Sequence, residues 1–370
     1  MFGRFLTDSG RGMPDDTDYE SIKCDLAPIH SEMTDRTLTH YYNILAGDER
    51  ARYLRTKSRM IEVDLRADDE ALKALHEFSL ESSPDAGRGD VSLLDLKAEL
   101  AHRMLRGCRL CERACGVDRL AGEKGHCGVL DARISSDFLH MGEEPDLVPS
   151  YTIFFSGCTF ECAFCQNWDI STRPDSGVTV NPSVLARKIE SKASREGRLM
   201  SLEMARNVNW VGGDPTSNLP FILDVLRECN ASIPQVWNSN MYLSVDAMRL
   251  LDGVIDVYLT DFKYGNDRCA LRLSNVRDYL RVVQRNHLMA RENAELIIRH
   301  LVLPGHVDCC TRPALTWIAD NLRDVKVNVM SQYRPEHKAR QFEEISHPLG
   351  MREYQKAIDI ADRLGLDLTD

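Results

Sequence analysis

The sequence predicts an α/β fold: a partial (β/α)6 barrel with a helical N-terminal extension and a small Cys-rich metal-binding segment. Three observations predict it. From Tyr151 onward, six β-rich runs (151–157, 207–211, 234–238, 254–260, 295–302 and 325–330) alternate with amphipathic stretches near 182–195, 217–229, 244–251, 274–290 and 309–323. Such alternation builds a parallel sheet with helical crossovers. Six strand–helix units are two short of a closed eight-stranded barrel, so the barrel is expected to be open, with a mouth wide enough for a large substrate. Finally, seven of the twelve cysteines fall between Cys108 and Cys165, immediately before and after the first run.

Taken in order, residues 1–35 are rich in Asp, Ser, Gly and Thr and are expected to be a poorly ordered lead. Asp68-Asp69-Glu70 opens a helix with Leu72, Leu75 and Phe78 on one stripe, its acids suiting the positive end of the helix. Residues 82–89, Ser-Ser-Pro-Asp-Ala-Gly-Arg-Gly, form a linker. Ser92 caps a second helix, with Leu93, Leu96, Leu100 and Met104 at helical spacing. Asn181-Pro182 starts the first crossover helix, with proline at the first helical position. The expected division is 1–104 for the extension, 105–150 for the Cys-rich segment, 151–335 for the partial barrel and 336–370 for a C-terminal helical segment.

Composition narrows the function classes. Apolar residues make up 43% of the chain at a mean hydropathy of -0.33, and no stretch approaches the ~18–20 apolar residues of a membrane span. Met1 to Gly12 has no apolar signal-peptide core, so the expected location is cytoplasmic, away from membranes. A net charge of -11 weighs against a nucleic-acid partner. In this setting, short cysteine spacings favour metal over disulfides; Cys24, Cys229, Cys269, Cys309 and Cys310 are scattered.

Cys158, Cys162 and Cys165 form C-x3-C-x2-C directly after the first strand. Three thiolates can ligate three irons of a cubane and leave the fourth open, as catalytic metal sites require. A zinc site would need a fourth ligand, and a C-x2-C redox pair would leave Cys158 unexplained. Upstream, Cys108, Cys111, Cys115 and Cys127 form C-x2-C-x3-C-x11-C, a complete four-thiolate set, with His126 as a substitute ligand. A second [4Fe–4S] cluster, mononuclear iron and structural zinc all accept such a set. A metal staple tying the extension to the barrel would use it equally well.

The triad, with Phe164 before its last cysteine, resembles the signature of the radical SAM superfamily. Gly212-Gly213-Asp214-Pro215 ends the second strand where that family has Gly-Gly-Glu-Pro, with Asp here in place of Glu. Asn238-Ser239-Asn240-Met241-Tyr242 ends the third strand and Asp261-Phe262-Lys263 the fourth; both are similar to stretches of glycyl-radical-enzyme activases near the SAM ribose and carboxylate. Arg299-His300 with Leu303-Pro304-Gly305 closes the fifth strand, and Ser331-Gln332-Tyr333-Arg334-Pro335 follows the sixth. Together with the upstream cysteines, these resemble radical SAM proteins related to pyruvate formate-lyase activating enzyme, over roughly residues 105–365. True activases carry their extra cysteines after the triad rather than before it.

The resemblance implies a [4Fe–4S] cluster on Cys158, Cys162 and Cys165. It implies S-adenosylmethionine held among Gly212, Gly213, Asp214, Asn238, Asn240, Asp261, Lys263, His300 and Gln332. Reductive cleavage by a flavodoxin- or ferredoxin-type donor would give a 5′-deoxyadenosyl radical that takes a carbon-bound hydrogen from a protein or peptide. The alternative is C-methylation of a protein residue with cobalamin, as in methyl-coenzyme M reductase; the absence of an Asp-x-His-x-x-Gly segment lowers it. A remoter alternative, a structural zinc-binding interaction protein, leaves the open triad unexplained.

Overall fold

A computed structural model describes residues 37–82, 89–193 and 204–369, all within the unit Asp35–Asp370. The expected lead and most of the 82–89 linker lie outside the described residues. The elements run α1 (Thr39–Ala46), α2 (Arg52–Ser58), β1 (Met60–Ile61), α3 (Asp69–Glu81), β2 (Val91–Ser92), α4 (Leu93–Arg103), β3 (Ile134–His140) and β4 (Ser150–Phe155). Then come α5 (Trp168–Ser171), α6 (Pro182–Ala193), β5 (Asn207–Gly212), α7 (Leu219–Glu228), β6 (Gln235–Ser239), α8 (Val245–Leu251), β7 (Val257–Asp261) and α9 (Asp267–Ser274). The chain finishes with α10 (Tyr279–Asn293), β8 (Glu295–Leu301), α11 (Arg312–Asn321), β9 (Lys326–Met330), α12 (Met351–Arg363) and β10 (Asp367–Leu368).

All six expected strands form, as β4 to β9, paired parallel and in chain order. The fold is α/β with a mostly parallel sheet, in keeping with a partial barrel. Two edge strands extend it: β3 pairs antiparallel with β4, and β10 parallel with β9. Among the described residues the sheet is therefore eight strands in the order β10-β9-β8-β7-β6-β5-β4-β3, with its two end strands not paired to each other. Edge positions explain why the sequence hid them. β3 is exposed at alternate residues, and β10 is two residues long.

Side chains alternate across the sheet, and each face has its own packing. On the outer face, Trp210, Trp237, Tyr258, Leu296 and Ile298 join the main core with the helices. On the inner face, Val236, Val257, Leu259 and Ile297 form a separate small core with Leu38 and Tyr41 of the α1 region and Leu147. Helix α1 thus plugs the N-terminal end of the barrel. Glu295, at the start of β8, fixes the plug by accepting from the backbone N–H of His40 (2.6 Å) and Tyr41 (2.9 Å). These are helix-start donors with no partner inside the helix.

Helices α3 and α4 form where expected. Asp68 caps the first, and Ser92 with Asp95 makes a capping box on the second. The buried stripe of α3 differs, however: Leu72, His76 and Ser79 face inward while Phe78 is 68% exposed. His76 is drawn in by fully buried Lys97 of α4, whose ammonium lies 2.9 Å from its Nε2 and donates to Arg249 O at 3.0 Å. The helix expected at 274–290 forms as α10, starting five residues later, and an unexpected helix, α9, precedes it; the two are separated where Asn275 (φ 53°) and Asp278 (φ 49°) turn left-handed. Short polar side chains tolerate that conformation. Among the described residues, no helix is long and apolar enough to cross a membrane.

Candidate active site and metal centres

The triad loop leaves β4 at Gly157, whose φ of 86° suits glycine and whose missing Cβ would sit 2.3 Å from Val129 Cγ2. Two buried aromatic rings anchor the loop. Phe160 packs edge-on to Tyr242 and Tyr279, and Phe164 against Tyr264 and Tyr333. Backbone bonds from Glu161 N to Ser274 O (3.1 Å) and Ala163 N to Leu273 O (2.7 Å) seat the loop on the end of α9. A hydroxyl relay completes the seat: Ser274 Oγ donates to Cys162 Sγ at 2.9 Å and accepts from Tyr264 Oη at 2.5 Å.

The three cysteines open onto one cavity of about 190 Å³ at the C-terminal ends of the strands. Gly212, Gly213, Asp214, Asn238, Asn240, Asp261 and Lys263 line it with them. Two expected residues stay outside. His300 is buried among the helices, bonded through Nδ1 to Phe262 O (2.7 Å) and Nε2 to Thr311 Oγ1 (2.9 Å). Gln332 is exposed and reaches the loop only through its carbonyl, which accepts from Gln166 Nε2 at 2.9 Å. Arg299, expected at the end of the fifth strand but not among the cofactor contacts, does line the cavity. Its register partner is Asp261, and strand parity points the intervening His300 to the other face.

Charge in the cavity is balanced by ion pairing. Lys263 Nζ lies 2.7 Å from Asp261 Oδ2, and Arg299 Nε lies 3.3 Å from Asp261 Oδ1. Arg299 also bonds Asn238 Oδ1 and pairs with Glu143 at 3.3 Å. Burial pushes the Asp261 carboxyl up, but Lys263 and Arg299 outweigh it and hold it below its ordinary value. Lys263 is likewise held above the usual lysine value: burial acts against the charge, and Asp261 and Cys162 more than offset it. Burial raises the thiols too, Cys158 well above its usual value and Cys162 to about 11. A bound cation is what would ionise them.

Asp214 lines the cavity, yet its carboxylate is engaged by the strand ends. Its carboxylate accepts from Thr216 N, Ser239 Oγ and Asn240 N, each at 3.0 Å, and so ties the end of β5 to the end of β6. Burial raises its pKa against those bonds. The preceding glycines let the strand end touch the triad loop. A Cβ on Gly212 would lie 2.2 Å from Phe155 N, and one on Gly213 2.0 Å from Gly157 O.

Beside this cavity, across the Asp214–Thr216 turn, the upstream cysteines surround a second. Cys108, Cys111, Cys115 and Cys127 line it with Arg113, Arg119, His126, Thr216 and Ser217. Among the described residues, Arg113 Nη2, Arg119 Nε, Thr216 Oγ1 and Ser217 Oγ are buried there without hydrogen-bond partners. Orphaned donors around four thiols fit an anionic, thiolate-bound centre. The segment is bound to the barrel by Arg119, which donates to Ser217 O and Leu130 O at 2.9 Å each, and by Arg113 Nε to Thr159 O at 3.1 Å. Thr159 lies inside the triad loop, so the two cysteine sets share a scaffold.

The family model of the radical SAM superfamily matches residues 152–318. An uncharacterized protein of Methanocaldococcus jannaschii is 48% identical over 283 residues, covering 75% of this chain and 80% of its own. Among solved structures, a domain of the pyruvate-formate lyase-activating enzyme of Bacteroides vulgatus covers 44% of this chain and 97% of its own, at 16% identity and a TM-score of 0.37. SuiB of Streptococcus suis, bound to S-adenosylmethionine, covers 57% and 47% at 14% identity and 0.43. A radical SAM methyltransferase of Sphaerobacter thermophilus covers 87% and 94% at 12% identity and 0.39. With the matched span beginning in the strand that delivers the triad, the chain belongs to the radical SAM superfamily and is an enzyme of that superfamily.

Proposed function

We propose that Cys158, Cys162 and Cys165 hold the [4Fe–4S] cluster of this enzyme and that it removes a carbon-bound hydrogen atom from a protein or peptide. The observation that carries the reading is that all three cysteines line one cavity together with Lys263, Asp261 and Arg299. When bound there, a reduced cluster with S-adenosylmethionine supplies methionine and a 5′-deoxyadenosyl radical, the species that abstracts hydrogen.

The chain's own residues bind, orient and exclude water. Lys263, steadied by Asp261, offers a point charge to the methionyl carboxylate. Bare backbone at Gly212 and Gly213 lets the end of β5 lie against β4 and the triad loop, while the Asp214 clamp keeps the strand ends in register. Phe160 and Phe164 close the loop side against water. A macromolecular substrate is supported by the unclosed sheet, whose end strands leave the barrel open along one side. The upstream thiols and their orphaned donors suit a second metal centre on the same scaffold.

Anaerobic reconstitution tests the reading. With reductant and S-adenosylmethionine, the full chain is expected to release 5′-deoxyadenosine, and Cys162→Ala to lose both cluster and cleavage. Retained cleavage in that variant, or none in a wild-type protein carrying iron and sulfide, would overturn it. Deuterium passing from a labelled protein or peptide into 5′-deoxyadenosine would support the substrate class; faster turnover of free nucleosides would sink it. S-adenosylhomocysteine formed only when cobalamin is present would select the methylase reading instead.

A further inference from the structure

Four donors that lie far from both cysteine sets in sequence meet on the outer, helical side of the barrel. Cys269 is in the first turn of α9; His306, Cys309 and Cys310 belong to the turn that leads into α11. Their ligand atoms all lie within 4.8 Å of one another. His306 Nδ1 is 3.6 Å from Cys269 Sγ, 3.3 Å from Cys309 Sγ and 3.8 Å from Cys310 Sγ, and the two neighbouring sulfurs are 3.9 Å apart. Metal–ligand bonds of about 2.3 Å to sulfur and about 2.0–2.1 Å to nitrogen give tetrahedral edges of about 3.8 Å (S–S) and about 3.6 Å (S–N). The observed separations lie within about 0.3 Å of these values. We propose that Cys269, His306, Cys309 and Cys310 bind one tetrahedral zinc ion, separate from the cysteine sets at Cys108–Cys127 and Cys158–Cys165.

The surroundings are built for such a site. Residues Val307–Thr311 wind as a π-turn, an uncommon conformation that places His306, Cys309 and Cys310 on one side. The His306 carbonyl accepts from both Cys310 N (2.8 Å) and Thr311 N (3.2 Å). Asn266 joins the two halves: its Nδ2 donates to Cys309 O at 2.8 Å, and its Oδ1 accepts from Cys269 N at 2.8 Å. Gly265 allows the approach, since a Cβ there would lie 2.5 Å from Cys310 O. The far nitrogen of the histidine, Nε2, is buried without a hydrogen bond among the described residues but lies 3.7 Å from Glu344 Oε1. With Nδ1 facing the three sulfurs and Nε2–H facing a carboxylate, this is the outer-shell arrangement that fixes a metal-ligating histidine.

Three thiolates, one imidazole and a closed coordination shell mark a structural site rather than a catalytic one, and soft sulfur with tetrahedral geometry selects zinc. The consequence is mechanical. Cys269 anchors the start of α9, and the end of α9 carries Ser274, which bonds Cys162 Sγ and accepts Glu161 N. A zinc here would brace from behind the helix on which the triad loop rests.

The test is metal analysis of the full chain, made in zinc-replete medium and purified anaerobically. Cys269→Ser and Cys309→Ser are each expected to lower zinc by about one equivalent per chain, while iron and sulfide at the other cysteines are retained. The control Cys111→Ser should keep this zinc. Should the serine variants fold poorly, X-ray absorption at the zinc edge of the wild-type protein decides, because a sulfur shell with a nitrogen contribution is expected. Unchanged zinc in the serine variants, a sulfur-only shell, or a wild-type protein without zinc would each overturn the proposal.

Discussion

Gly213→Ala is a test of space alone. Gly213 does not adopt the left-handed backbone, so alanine is not strained by its own φ, yet its Cβ would lie 2.0 Å from Gly157 O and 3.1 Å from Ser171 Cα. Ordinary contact begins at 3.4 Å, so the end of β5 and the triad loop must part by more than about 1 Å. Two backbone bonds span that gap, Gly213 N to Phe155 O at 2.9 Å and Asp214 N to Gly157 O at 3.1 Å. Losing them costs about 1 kcal/mol each, and overpacking adds about 1–3 kcal/mol, for a total of about 3–5 kcal/mol. At about 2.1 cal/mol/K per residue, this chain unfolds with about 0.8 kcal/mol/K, so the thermal midpoint should fall by about 4–6 °C. Gly157 adjoins Cys158, so S-adenosylmethionine cleavage by the reconstituted variant should fall with it. Gly107→Ala is the control: its Cβ meets nothing within 4 Å, and its midpoint should stay within about 1 °C of wild type. A Gly213→Ala protein with the control's midpoint and wild-type cleavage would refute the steric reasoning.

Three other perturbations probe separate parts of the molecule. Lys263→Met should weaken S-adenosylmethionine binding by about 10–100-fold, the value of a charge-assisted hydrogen bond, with iron and sulfide unchanged; equal affinity in anaerobic equilibrium dialysis would remove Lys263 from the site. Burial holds Lys97 down at about 7 against an ordinary 10.5, so the native state sheds this proton before the unfolded chain does. Stability should therefore rise as pH climbs from about 7 toward 10.5, the cost of the buried charge being fully present below that window. Lys97→Met should flatten that rise in thermal midpoints taken across the window, and parallel curves would contradict it. Glu295→Ala strands the N–H groups of His40 and Tyr41, at about 1–3 kcal/mol each. Amide exchange in α1 should accelerate while that in β6 and β7 does not; uniform protection would show that the plug is held by its apolar face alone.

The parts of this molecule that sequence made legible are those written in short-range patterns. The six strands, the Ser92 cap and both cysteine sets are encoded in neighbours a few residues apart, where period and spacing carry the signal. What escaped reading depends on partners distant in the chain. Phe78 obeys the helical stripe yet faces solvent, because buried Lys97 draws His76 inward instead. Strands β3 and β10 lie at sheet edges, where only one neighbour and one covered face constrain the side chains.

The two histidines near the strand ends carry this lesson to the candidate sites. His300 sits at a strand end beside an arginine, and proximity in sequence alone would assign both to the cavity. Strand parity sends Arg299 inward to Asp261 and His300 outward to Thr311, in the turn of Cys309 and Cys310. His306, Cys309 and Cys310 lie within five residues, but the set is completed only by Cys269, 37 residues from His306 in another element. Yet the two faces are linked mechanically. Phe262 lies between Asp261 and Lys263 and accepts from His300 Nδ1 through its carbonyl, while α9 joins the Cys269 cluster to the Cys162 sulfur. A change on the helical face can therefore disturb the cavity without touching it, through the position of α9. That dependence separates the two sets of experiments: loss of zinc should lower stability first and cleavage only as α9 loosens, whereas loss of Lys263 should weaken cofactor binding with the fold intact.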